Sequence, residues 1–172
     1  IIMFTKHQIL SYLKYSIAAA IAYLICVCIF LYLDSYIQTY ILYIGNMVFA
    51  LVMVIFIVNF SKKRDNNASP KMAIAAGHIT AAMGVIISCL AIFIILAIMK
   101  PYGYDAIIHT SNELAKPAPA LQGNGHALML ILFMDAVFGN IGAGSFVSFI
   151  LPNMLKKDQT GETSTINPEV KV

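Results

Sequence analysis

Four long apolar runs dominate this chain and leave it few folds to choose from. A helix needs about 20 largely apolar residues, at about 1.5 Å each, to cross about 30 Å of hydrocarbon. Tyr15 to Leu33, Ile41 to Phe60, Met72 to Met99 and Ala127 to Leu155 all meet that requirement. The first run carries no charge. The second has only Asn46 and Asn59 as strongly polar members, the third has His78 near its start, and the fourth encloses Asp135 and Asn140. Runs three and four are longer than the hydrocarbon layer, so they must tilt or protrude. None of the four reads as strand, since they are too long and lack apolar/polar alternation. Of 172 residues, 60% are hydrophobic and 11% charged, against about 25% charged in a soluble domain. That balance excludes a soluble globular enzyme, a disordered chain and a nucleic-acid-binding domain. Three cysteines are too few for a disulfide-stapled secreted module. The expected fold is all-α: a four-helix transmembrane bundle over 1–155, with an outer loop at 100–126 and a polar, disordered tail at 156–172.

The basic residues orient the bundle. Lys6, Lys14, Lys62, Lys63, Arg64, Lys71, Lys156, Lys157 and Lys171 flank one side, and only Lys100 and Lys116 lie on the other. Both termini and the tight Ser61–Lys71 hairpin are therefore expected in the cytoplasm. Tyrosine must supply any aromatic belt, because tryptophan is absent. Tyr12 and Tyr15 fall at the inner boundary. Tyr32, Tyr36, Tyr40, Tyr43, Tyr102 and Tyr104 fall at the outer one, which leaves Tyr23 as the one deep tyrosine. The first run has no small-residue cleavage site and reads as a span rather than a signal peptide, with Phe4 to Lys14 as an interfacial lead-in.

Helices in lipid associate through small residues and interhelical hydrogen bonds. Ala73, Gly77 and Ala81 recur at four-residue spacing on helix three, with Thr80, Gly84 and Ser88 on an adjoining face. Helix four carries Gly139 with Ala143 and Gly144 with Ser148, and helix one carries Ala18, Ala22 and Cys26. These stripes predict close contact between helices three and four. They suit packing within the bundle or an oligomer interface, and packing within the bundle is preferred because four helices need those faces among themselves. Cys26 and Cys28 point to different faces and cannot bridge each other.

Asp135 is the one carboxylate inside a span. It lies about eight residues, or roughly 12 Å, from the outer end of helix four. A charge there costs at least about 2.5 kcal/mol on insertion scales, so it should face the bundle interior. Depth counted along the other helices brings Asn46 and Tyr23 to its level, with Asn140 and Ser88 beneath. Two readings stand: a proton, cation or polar-ligand site, or a neutral acid that bridges helices through hydrogen bonds. His78 and His126 lie too far apart in depth to ligate one haem from both sides, and no cofactor is implied.

In the outer loop Asp105, His109 and Glu113 recur at four-residue spacing, and with His126 they could form a metal site of zinc-like ligand types. A solvated amphipathic turn is the alternative, or a capping box from Thr110 to Glu113 that would break the ligand face. Phosphate-binding glycine loops, His-Glu-x-x-His and Gly-x-Ser-x-Gly are all absent.

The stretch VFALVMVIFIVNFSKKRDNN followed by AIAAGHITAAMGVIIS, and the end LFMDAVFGNIGAGSFVSFILPNMLKK with its acid, glycine-rich middle and basic stop, resemble a family of short bacterial four-span inner-membrane proteins of unknown function. The resemblance implies a bacterial cytoplasmic membrane location and nothing about activity. Three function classes compete. A non-catalytic accessory or assembly subunit of a larger membrane complex is preferred, because the chain has packing faces and no reaction motif. An oligomeric proton, cation or small-solute transporter or channel using Asp135 is second. An intramembrane enzyme is disfavoured by the lack of a nucleophile–base pair. The implied partners are the lipid bilayer and other membrane subunits or further copies of the chain, not nucleic acid.

Overall fold

The computed structural model describes residues 6–33, 36–62, 70–98 and 125–163, and every element among them is helical. Helix α1 runs Lys6–Leu33 and α2 runs Tyr40–Lys62, with a 3₁₀ turn at Tyr36–Gln38 between them. The Leu42 amide donates to the Thr39 carbonyl at 3.0 Å as α2 begins. Helix α3 covers Pro70–Ile98. It opens on a proline, which suits a position whose N–H would lack an intrahelical partner. The fourth rod, α4, has three consecutive pieces: an α-helix at Gly125–Met134, a π-helical turn at Asp135–Gly139 and an α-helix at Asn140–Thr163.

Gln8–Leu33, Tyr40–Lys62, Pro70–Ile98 and Ala127–Leu155 are each long and apolar enough to cross a membrane. This architecture fits an integral membrane protein. Two boundaries differ from the sequence expectation. The lead-in before Tyr15 is helical from Lys6 and continuous with the span. Helix α4 continues to Thr163, well past Leu155; Lys156, Lys157 and Gln159 are good helix formers, and no proline interrupts 156–163.

Helix α1 lies against α2 and α3, and α4 lies against the same two, so α1 and α4 occupy opposite corners. Tyr23, Phe30, Leu42, Phe49, Met53 and Phe56 fill the centre. The outward faces are just as apolar, with Ile21, Ile25 and Ile29 on α1 and Phe138, Phe146 and Phe149 on α4. A bundle surrounded by hydrocarbon requires that, and it means apolarity alone does not mark the buried face.

Small residues set the close approaches. A β-carbon on Gly77 would collide with Ser148, and one on Gly144 would stand 2.7 Å from Ala81 Cβ, so α3 and α4 pack nearly backbone to backbone. Gly84 receives the Phe49 ring, and its added β-carbon would lie 3.4 Å from the Ser16 carbonyl. Ser16 Oγ lies 2.8 Å from both the Tyr12 and the Thr80 carbonyl, so its single proton is shared between its own helix and α3. Gly139 faces Asn46 of α2 rather than α3, and Ala143 is only half-buried. On α1 the expected Ala18–Ala22–Cys26 stripe is only partly the packing face: Ala18 is exposed and Ala22 half-buried, Cys26 packs beside Gly45 of α2, and Ala19, Ala20, Tyr23 and Val27 are fully buried. The larger Tyr23, Val27 and Phe30 fill the bundle centre from that neighbouring face.

Candidate intramembrane polar site

Asp135 opens the π turn of α4 and gathers three helices. The Tyr23 hydroxyl of α1 donates to Oδ2 at 2.8 Å, and Asn46 Nδ2 of α2 donates to Oδ1 at 2.8 Å. Tyr23 is fully buried, Asn46 is 8% exposed and Asp135 is half-buried. Because α1 and α4 stand at opposite corners, the bond between Tyr23 and Asp135 crosses the bundle. A phenol on a long ring can bridge that gap where serine or threonine would fall short.

A glycine seats each partner. A β-carbon on Gly45 would lie 3.0 Å from Tyr23 Cδ2 and 3.1 Å from Cys26 Cβ, so its absence gives the tyrosine ring its place on α2. A β-carbon on Gly139 would come within 2.7 Å of Asn46 Cγ, so its absence lets the amide reach the acid. Gly139 had been read as a helix-packing residue, and Gly45 carried no sequence signal beyond being a lone glycine in a span. Both support the acid's two hydrogen bonds.

Each carboxyl oxygen of Asp135 thus accepts from one neutral donor. Nothing in this trio pairs a nucleophile with a base.

The two residues expected beneath the trio behave differently from it. Ser88 Oγ donates to the Gly84 carbonyl of its own helix at 2.9 Å. Asn140 is fully buried, yet neither its Nδ2 nor its Oδ1 has a hydrogen-bond partner, and Asn46 Oδ1 is likewise buried without one. No hydrogen bond joins Asn140 or Ser88 to Asp135. At the end of the π turn the Asn140 backbone N–H donates to the Val137 carbonyl. No propensity in the sequence signals that turn.

His78 is exposed, and its Nδ1 lies 2.8 Å from the Ile74 carbonyl of its own helix. Asp105, His109 and Glu113 lie outside the described residues, and so does the side chain of His126. At the opposite end of the α1–α2 pair, Asn59 Nδ2 donates to the Tyr15 hydroxyl at 3.0 Å. Beside it the ring of Phe56 packs against Tyr12, Tyr15 and Phe60. Tyr12, expected at an interface, is buried in that aromatic cluster.

Comparison with known protein families, with curated proteins and with solved structures finds no match to this chain.

Proposed function

We propose that this chain is a non-catalytic integral membrane protein of the bacterial cytoplasmic membrane, with both ends on the cytoplasmic side, that serves as an accessory or assembly subunit of a larger membrane complex. The observation that carries this reading is the outward face of α4. Gly142 has nothing within 4 Å of where its side chain would be. It sits one turn from Phe138 and one turn from Phe146, both 67% exposed. A glycine facing lipid gains nothing by itself, whereas a glycine between two aromatic knobs lets a helix of another subunit approach closely. The glycines at 77, 84, 139 and 144 are already used inside the bundle, so of Gly139, Gly142 and Gly144 on α4 it is Gly142 that is left over. The orientation rests on the nine-to-two distribution of basic residues.

Gentle extraction from native membranes, with mass identification of what comes along, tests this. The accessory reading expects unlike partners in fixed stoichiometry, and their loss on Gly142→Leu while the chain stays folded. A lone monomer would overturn it. A homo-oligomer would instead favour a transporter or channel, for which the acid shared by Tyr23 and Asn46 is the supporting observation.

A further inference from the structure

We infer that Asp135 is a proton-binding site, in which Tyr23 and Asn46 hold the acid with or without its proton. This goes beyond the accessory reading and does not depend on it.

The inference starts from the Asn46 amide. Its Nδ2 donates to Asp135 Oδ1 at 2.8 Å, while its own Oδ1 is buried without a hydrogen-bond partner. An amide carries donor and acceptor on one planar group, so a half-turn about Cβ–Cγ exchanges them with almost no change of shape. The acid without its proton takes the amide as it stands: Asn46 donates to one oxygen and the Tyr23 hydroxyl to the other. When a proton binds, one O–H bond forms at Asp135 Oδ1, the proton comes from water, and no electron is exchanged. The turned amide then accepts that O–H through Asn46 Oδ1, and Tyr23 still donates to Asp135 Oδ2. Both ties between helices persist in either form. One atom of the Asn46 amide is left unpartnered each time, Oδ1 without the proton and Nδ2 with it. The hydrogen-bond count is therefore equal, and proton exchange costs the bundle no tie.

The second observation is the space around that amide. Its Cγ, Oδ1 and Nδ2 all lie against the position a β-carbon on Gly139 would take. On that side the amide meets a bare α-carbon, which leaves it room to turn. Asp135 itself is half-buried rather than sealed. A proton needs no coordination shell, so the two hydrogen bonds complete its site. The titratable groups around the acid are few. Asp135 is the one titratable side chain described on α4. Helix α1 supplies Tyr23, and the thiols of Cys26 on α1 and Cys89 on α3 lie near enough to act on the Tyr23 hydroxyl. On α2, Tyr40 and Tyr43 are exposed, and Lys62 is exposed at the far end. Lys14 is exposed and lies nine residues before Tyr23, roughly 14 Å along α1. His78 of α3 is exposed and bonded to its own helix.

The test uses the full chain in lipid nanodiscs, with the C=O stretch of protonated carboxyl groups read by infrared difference spectroscopy from about pH 4 to about pH 10. The Asp135 band is the one missing from Asp135→Asn. It should grow as pH falls and vanish reversibly as pH rises, while circular dichroism shows the helices unchanged. Tyr23→Phe should move that band to higher frequency, because the C=O of the neutral acid loses its donor. This shift identifies the band even if Asp135→Asn fails to fold. Nitrogen-15 labelling of asparagine, read by solid-state nuclear magnetic resonance, follows the amide. The Asn46 side-chain signal, assigned by its loss in Asn46→Leu, should shift with the same midpoint as the band. A band that stays constant across the range marks an acid that only bridges helices, and overturns the inference. So does the absence of any such band, or an Asn46 signal that does not follow it.

Discussion

The two ends of the α1–α2 pair use the same two residue types to different effect. At one end Asn59 donates to Tyr15, and a cluster of Tyr12, Tyr15, Phe56 and Phe60 surrounds the bond. At the other, Tyr23 and Asn46 do not bond to each other but turn to a common acid on α4. A tyrosine and an asparagine alone tie two helices. Adding a carboxylate recruits a third and carries the tie across the bundle. The aromatic end depends on shape, and the acid end depends on hydrogen bonds and on two glycines that admit them.

That contrast can be broken in stages. The largest effect should come from Phe56→Ala, because Phe56 is 1% exposed and its ring touches three others. A loss of about 2–3 kcal/mol is expected in denaturant-driven unfolding. It falls below the roughly 3–5 kcal/mol of soluble cores because the unfolded side chain remains in hydrocarbon. Next comes Gly139→Ala, which forces a methyl group against the Asn46 amide and should cost about 2 kcal/mol. Gly142→Ala, three residues further along, meets open space and should be neutral for the isolated chain. If both glycine variants unfold alike, the close approach at Asn46 has no energetic role. Tyr23→Phe should cost about 1 kcal/mol, within the roughly 1.7 kcal/mol ceiling measured for interhelical bonds in a membrane protein. Tyr15→Phe should cost about 0.6 kcal/mol, the average for such bonds. Equal losses for the two tyrosines would mean that the acid adds nothing to its pair.

The span positions were readable because crossing hydrocarbon demands a length of apolar chain that little else in a sequence imitates. Depth counting also placed Tyr23, Asn46 and Asp135 at one level, since polar side chains in a span are few and each residue advances a helix by a constant rise. Facing was harder to read. The Ala18–Ala22–Cys26 stripe is exposed at Ala18 and packs at Cys26, beside Gly45 of α2, while α1 fully buries Ala19, Ala20 and Tyr23. A helix apolar on every side offers no amphipathic contrast to show which face turns inward. Gly139 and Gly144 looked like one kind of packing residue, and they serve different neighbours, Asn46 of α2 and Ala81 of α3. Five residues apart, they stand roughly 140° from each other around the helix and so face different helices, while the π turn just before them is a backbone irregularity that leaves no composition of its own.

That turn also sets the phase of everything after it. An i→i+5 turn holds one residue more than the surrounding helix, and each residue advances an α-helix by roughly 100°. The half of α4 beyond Asn140 is therefore rotated by about one residue relative to an unbroken helix. Gly144 and Ser148 meet Ala81 and Gly77 only in that rotated setting. Removing a single residue from 136–138 would straighten the helix and turn its second half out of phase with α3. In α4, residue count matters as much as residue identity, and a one-residue deletion there should disturb the bundle more than most substitutions.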